Sequence, residues 1–171
     1  MAFSLVTFLT SVENLLVKNN TTGGTYFIGD GLFSKVLSFH KGANGMSEKS
    51  LFSNQYPAIF VELVRKEENF SNMGNTGKRN LTIEVDIVPI TEYGAGIGET
   101  GTSAKELAHL QCIRLTDNIE YLLRNKTNLS QTAIGVSYSR ITDTRYLDNT
   151  RDSFFNCNSR IRLEVDIKNT A

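Results

Sequence analysis

The residues whose types and spacing would support chemistry are few. Gly96-Ile97-Gly98-Glu99-Thr100-Gly101 has the Gly-x-Gly-x-x-Gly form of a dinucleotide loop and lies between a strand pattern and a helix pattern, where a pyrophosphate would meet a helix N-terminus. Its context argues against that use. The strand before it carries Glu84 and Asp86 in alternation, Gly94 adds a further glycine, and Asp117 and Glu120 fall inside the following helix instead of ending a second strand. Gly74-Asn75-Thr76-Gly77-Lys78-Arg79 resembles a phosphate loop, but Asn72 stands where the first glycine belongs and Arg79 where a Ser or Thr would hold magnesium. It reads better as a hairpin tip.

Carboxylates offer a second chemistry. Glu84, Asp86, Glu164 and Asp166 occupy the polar positions of two alternating segments, and neighbouring strands would gather them on one sheet face, where paired carboxylates serve acid–base work or cation binding. Charges in alternation are also what a solvated strand face contains, and Arg162 and Lys168 dilute the cluster. His40 and His109 have no Asp-x-His or His-x-x-x-His partner in sequence and read as surface histidines. Cys112 and Cys157 lack a Cys-x-x-Cys or Cys/His spacing, so no zinc site, metal or cofactor is expected, and a reducing compartment is. The expectation is a protein that is not an enzyme.

The elements that would position these residues follow from periodicity. Leu5, Phe8, Leu9, Val12, Leu15 and Leu16 recur at helical steps and predict a helix ending before Asn19. A short strand or hairpin is expected between Thr25 and Asn54. Tyr56 to Val64 is rich in β-branched and aromatic residues, with Pro57 at the tolerated first position of a strand. Leu81 to Ile87 and Ile161 to Lys168 alternate cleanly and predict half-buried strands. Ser103-Ala104-Lys105-Glu106 has the form of a capping box and opens a helix to about Arg124, with Ala104, Ala108, Leu115, Ile119 and Leu122 on one face. Ile134, Val136 and Tyr138 give another strand before a polar segment from Thr142 to Ser159.

At 171 residues and 19.1 kDa, with 40% hydrophobic and 21% charged residues, the chain has material for one domain spanning 1–171 and its own core. Disorder, collagen and coiled coil are excluded. Lys and Arg total 18 and Asp and Glu total 18, which argues against a protein that grips DNA or an anionic membrane through net charge. The N-terminal apolar stretch lacks a basic flank and is broken by Thr10, Ser11 and Glu13, so it reads as a mature helix, and no apolar run approaches membrane-spanning length. Strands with one apolar face each favour an α+β fold, a mainly antiparallel twisted sheet with two helices on one face and long loops or hairpin arms. Leu110, Ile113 and Tyr121 lie off the stripe that the long helix needs for that sheet and are assigned to a subunit interface.

This order of elements resembles the tail terminator proteins of long-tailed bacteriophages. The resemblance rests on the helix from Leu5 to Lys18, the strand Tyr56 to Glu62, the strand Arg79 to Ile87, the helix Ala104 to Arg124 and the closing strand Ile161 to Lys168. It implies a structural virion protein, assembled in the bacterial cytoplasm. The expected assembly is a homohexameric ring at the head-proximal end of the tail tube, ending tube polymerisation. Its implied partners are the tail tube protein, a head connector or neck protein and a sheath protein, with DNA only as passing cargo and no membrane. On that reading Glu84, Asp86, Glu164 and Asp166 are candidates to line the channel. The alternatives are another phage neck or head-completion protein, a small nucleotide-binding protein or enzyme using the Gly96 to Gly101 loop, and a cellular oligomeric binding module.

Overall fold

The computed structural model describes residues 4–29, 35–41, 55–70, 79–94, 104–127, 129, 136–151 and 154–170. The first helix, α1 (Leu5–Lys18), starts where the Ser4 hydroxyl accepts from the Thr7 amide and ends where the Asn19 amide nitrogen donates to the Leu15 and Leu16 carbonyls. Phe8, Val12, Leu15 and Leu16 are its buried stripe. The Asn20 side chain then fastens the returning chain, donating to the Val36 carbonyl at 2.8 Å and accepting from the Val36 amide at 2.9 Å. That clamp delivers the short strand β1 (Ser38–Lys41) to the sheet.

Strands β2 (Ala58–Phe70) and β3 (Arg79–Gly94) precede the second helix, α2 (Ala104–Asn125), and the chain closes with β4 (Val136–Arg151) and β5 (Phe154–Thr170). The sheet order is β1-β2-β3-β5-β4, with β1 parallel to β2 and every other pairing antiparallel. The α+β class is therefore as expected, with one parallel edge strand making the sheet mixed.

Both helices lie on one face. Phe8, Leu16, Leu115, Ile119 and Leu122 join Ile59, Val61, Ile83, Val85, Ile87, Leu163 and Val165 in one continuous core. Hydroxyls tie α2 to the sheet beneath it: Thr91 donates to the Ala108 carbonyl at 2.7 Å, and Thr116 and Ser159 share a bond of 2.6 Å. Each buried hydroxyl thus finds a partner, as burial away from water demands.

The strands run well past their alternating centres. β3 begins before Leu81 and continues beyond Ile87, and the polar segment from Thr142 to Ser159 is the distal part of the β4–β5 hairpin. Backbone pairing along a neighbour satisfies every second amide whatever the side chains are, so length here follows from pairing and not from composition. The capping box at Ser103 and the glycine-rich stretches Gly74 to Gly77 and Gly96 to Gly101 lie outside the described residues.

Candidate functional site

The polar face of the sheet gathers the charges. On β3 the side chains of Thr82, Glu84 and Asp86 alternate with the core residues, and their partners on β5 are Asp166, Glu164 and Arg162 in that order. The four carboxylates singled out in the sequence therefore share one face, as neighbouring strands require. They do not form a bare acidic cluster. Arg162 grips Asp86 through two bonds of 2.9 and 3.1 Å, and Arg160 lies 3.3 Å from the same carboxylate. The Arg140 guanidinium donates to Glu164 at 2.9 Å, Arg65 stands 3.8 Å from Glu84, and the Thr82 hydroxyl donates to Asp166 at 2.9 Å. Glu84 and Glu164 sit directly opposite each other, a like-charge pair that the flanking Arg65 and Arg140 offset.

Solvation of this face is uneven, which corrects the picture of a uniformly solvated strand face. Asp86 is 1% exposed and Glu62, its neighbour across β2 and β3, is 5% exposed. Burial raises the Glu62 carboxyl above its ordinary value, Arg160 acts to lower it, and the Asp86 charge adds to the rise. Hydrogen bonding to Asp86 pushes the Arg162 guanidinium higher still, against the opposing effect of its burial. Arg162 is in effect a fixed counter-charge for Asp86.

Further along the same face the chemistry turns apolar. Tyr56, Ala58, Phe60, Val88 and Ile90 form a second buried cluster, and the His40 ring stacks on Phe60 with centroids 4.8 Å apart. Burial raises the Glu92 carboxyl there, while a hydrogen bond with Tyr56 works the other way. His40 is thus no surface histidine: it is half-buried, and its Nε2 has no hydrogen-bond partner.

His109 departs from the sequence expectation too. Its Nδ1 lies 3.9 Å from the Cys157 Sγ, because packing of α2 on β5 closes a separation of 48 residues. Cys112 and Cys157 are buried with Ala108, and neither is in a disulfide. Among the described residues no group of three or more His, Cys, Asp and Glu side chains is placed to hold a metal ion. Gln111, which the sequence reading passed over, is 2% exposed and leaves both amide atoms unpartnered beside a small cavity lined by Gly29, Val36, Pro57 and Thr91.

On the outer side of α2, Leu110 is 43% and Tyr121 55% exposed, while Ile113 is half-buried. Tyr121 is also met by the Tyr26 ring at 5.7 Å, and the Lys126 ammonium stands over that same ring. The outward strip is therefore present, mixed in polarity and braced at one end. Among the described residues no helix is long and apolar enough to cross a membrane. No family model matches the chain, and a search of curated proteins gives no match either.

Proposed function

We propose that this chain is a structural virion protein of a long-tailed bacteriophage, a tail terminator subunit. In this reading six copies close into a ring at the head-proximal end of the tail tube, end its polymerisation and join it to the head connector or neck. The observation that carries the reading is architectural. The elements on which the resemblance rests are present in its order as α1, β2, β3, α2 and the closing strand β5, with both helices on one side of the sheet, while the distal part of the β4–β5 hairpin goes beyond it. The opposite sheet face supports it, since it carries no described helix and spends its side chains on a charge-balanced surface. A ring lumen with paired charges holds little net field, so DNA phosphates would pass it without strong retention.

The test is light scattering coupled to size-exclusion chromatography, followed by negative-stain imaging. The expected result is a ring with six times the 19.1 kDa chain mass. A monomer at all concentrations overturns the reading, and a monomer that binds a dinucleotide saturably replaces it with the nucleotide-binding alternative. Within this reading the α2 strip lies at a subunit contact, so Leu110→Glu shifts the assembly toward monomer. Because Leu110 is exposed, the monomer so released stays folded, with the far-ultraviolet circular dichroism of the parent.

A further inference from the structure

Among the described residues the sheet has two unfinished edges. β1 covers β2 only from Ala58 to Val61, so the outer side of β2 from residue 62 to residue 70 has no strand beside it among the described residues. At the other end of the sheet β4 has, among the described residues, no strand on its outer side along its whole length. Exposed strand edges present unpaired amides and carbonyls, and large apolar side chains stand beside both: Leu63 and Val64 on β2, Tyr138 and Tyr146 on β4, each between 40% and 50% exposed.

We infer that these edges pair with each other between copies, β4 of one subunit completing the sheet along β2 of the next. The inference rests on the ring reading and deepens it by naming the contact. Strand direction permits it. β2, β3, β5 and β4 alternate in direction, so a copy added edgewise with its helices on the same side sets β4 antiparallel to β2. The contact is head to tail, the kind that closes a ring when its rotation allows.

Charge selects one register. On the polar face β2 presents Glu62, Arg65, Glu67 and Asn69, the bulge at Val64 being skipped, and β4 presents Tyr138, Arg140, Asp143 and Arg145, with its own bulge at Thr142. Set antiparallel, Arg145 meets Glu62, Asp143 meets Arg65, Arg140 meets Glu67 and Tyr138 meets Asn69. Every charged pair is opposite in sign. Slipping the strands by one repeat in one direction opposes Arg145 to Arg65 and Asp143 to Glu67. The other slip opposes Asp143 to Glu62 and Arg140 to Arg65. Like charges directly across an antiparallel pair are destabilising, so both slips are disfavoured.

Two further features fit the same register. The next β4 residue, Tyr146, would meet Val61, where β1 already sits, so the pairing ends where the free edge ends. On the helix side a cavity of about 240 Å³ lies between the end of α2 and β4, lined by Leu123, Arg124, Thr127 and residues 138–141. The incoming strand places Glu68 opposite Ser139 on that side, near the Arg124 guanidinium.

The experiment uses the full chain with Glu67→Cys and Arg140→Cys together. Both positions are exposed, while the native thiols Cys112 and Cys157 are buried. Mild oxidation or a short bismaleimide is expected to give a covalent ladder on a denaturing gel that stops at the ring's subunit number, with each single variant remaining monomeric there. An intact ring by light scattering with no cross-link overturns the edge pairing and leaves the ring reading standing. A chain that stays monomeric overturns both. Covalent dimers from Arg140→Cys alone overturn the inference in favour of β4 pairing with itself.

Discussion

The two faces of the sheet are built from the same strands by opposite means. On the helix side Ile83, Val85, Ile87, Leu163, Val165 and Ile167 are buried beneath α1 and α2, and contacts of that kind are worth about 1.5–3 kcal/mol for each fully buried side chain without regard to direction. On the other side their alternating neighbours Glu84, Asp86, Arg162, Glu164 and Asp166 meet in directed pairs. An exposed pair such as Arg140 with Glu164 contributes only about 0–1 kcal/mol. Stability therefore resides on the helix side, and the polar side fixes which residue stands opposite which.

Asp86 breaks that division, because it is as deeply buried as a core isoleucine while carrying a charge. Asp86→Ala removes the counter-ion that Arg160 and Arg162 share, and because those guanidiniums are 31% and 34% exposed and water takes up part of the loss, the cost is that of charged hydrogen bonds, about 1.5–3 kcal/mol. Urea denaturation of the variant checks this. A loss below about 1 kcal/mol would mean that water screens the clamp and that the polar face is surface throughout. Replacing both Asp86 and Arg162 by Leu should recover part of the loss, since an apolar pair leaves less charge uncompensated.

On the helix side the comparable probe is smaller. Ile87→Val removes one methylene from a fully buried site and is expected to cost about 1 kcal/mol through lost transfer energy and the space left behind. Its unfolding midpoint should be independent of pH relative to the parent chain, because no titrating group is touched. A pH-dependent difference would couple the two faces and contradict the division drawn between them.

Much of this was legible in the sequence, and the exceptions have identifiable causes. Alternation at 81–87 and 161–168 located β3 and β5 and assigned their faces correctly, since a half-buried strand leaves a period-two signature. It could not mark where the strands end, because backbone pairing continues through polar residues such as Asp143 and Thr144. The four carboxylates were found, and so was their shared face. Their neutralisation was missed in part: Arg162 was seen in phase with them, but Arg140 and Arg65 reach the same face from strands whose register no local pattern reveals. The burial of Glu62, the proximity of His109 to Cys157 and the stacking of His40 on Phe60 all depend on long-range packing.

The smallest expected effect is the most discriminating, and it concerns Glu62. Burial raises its folded carboxyl above the ordinary value of 4.5, Arg160 opposes that rise, and Asp86 reinforces it. A group that holds its proton more tightly when folded stabilises the fold fully below its unfolded value and loses that contribution as pH rises through the folded one. Below pH 4.5 both states carry the proton, and Glu62→Gln, an isosteric neutral side chain, should differ little from the parent. From 4.5 upward the unfolded carboxyl ionises first while the folded one lags, so the variant gains on the parent until the folded group has also ionised, and the gap is then constant. Glu92, also raised, is present in both chains and cancels from the difference. Urea midpoints of the two proteins between pH 4 and pH 8 measure it. If the parent instead gains on the variant with rising pH, attraction to Arg160 outweighs burial, and the centre of the polar face is an ion-pair surface that water reaches.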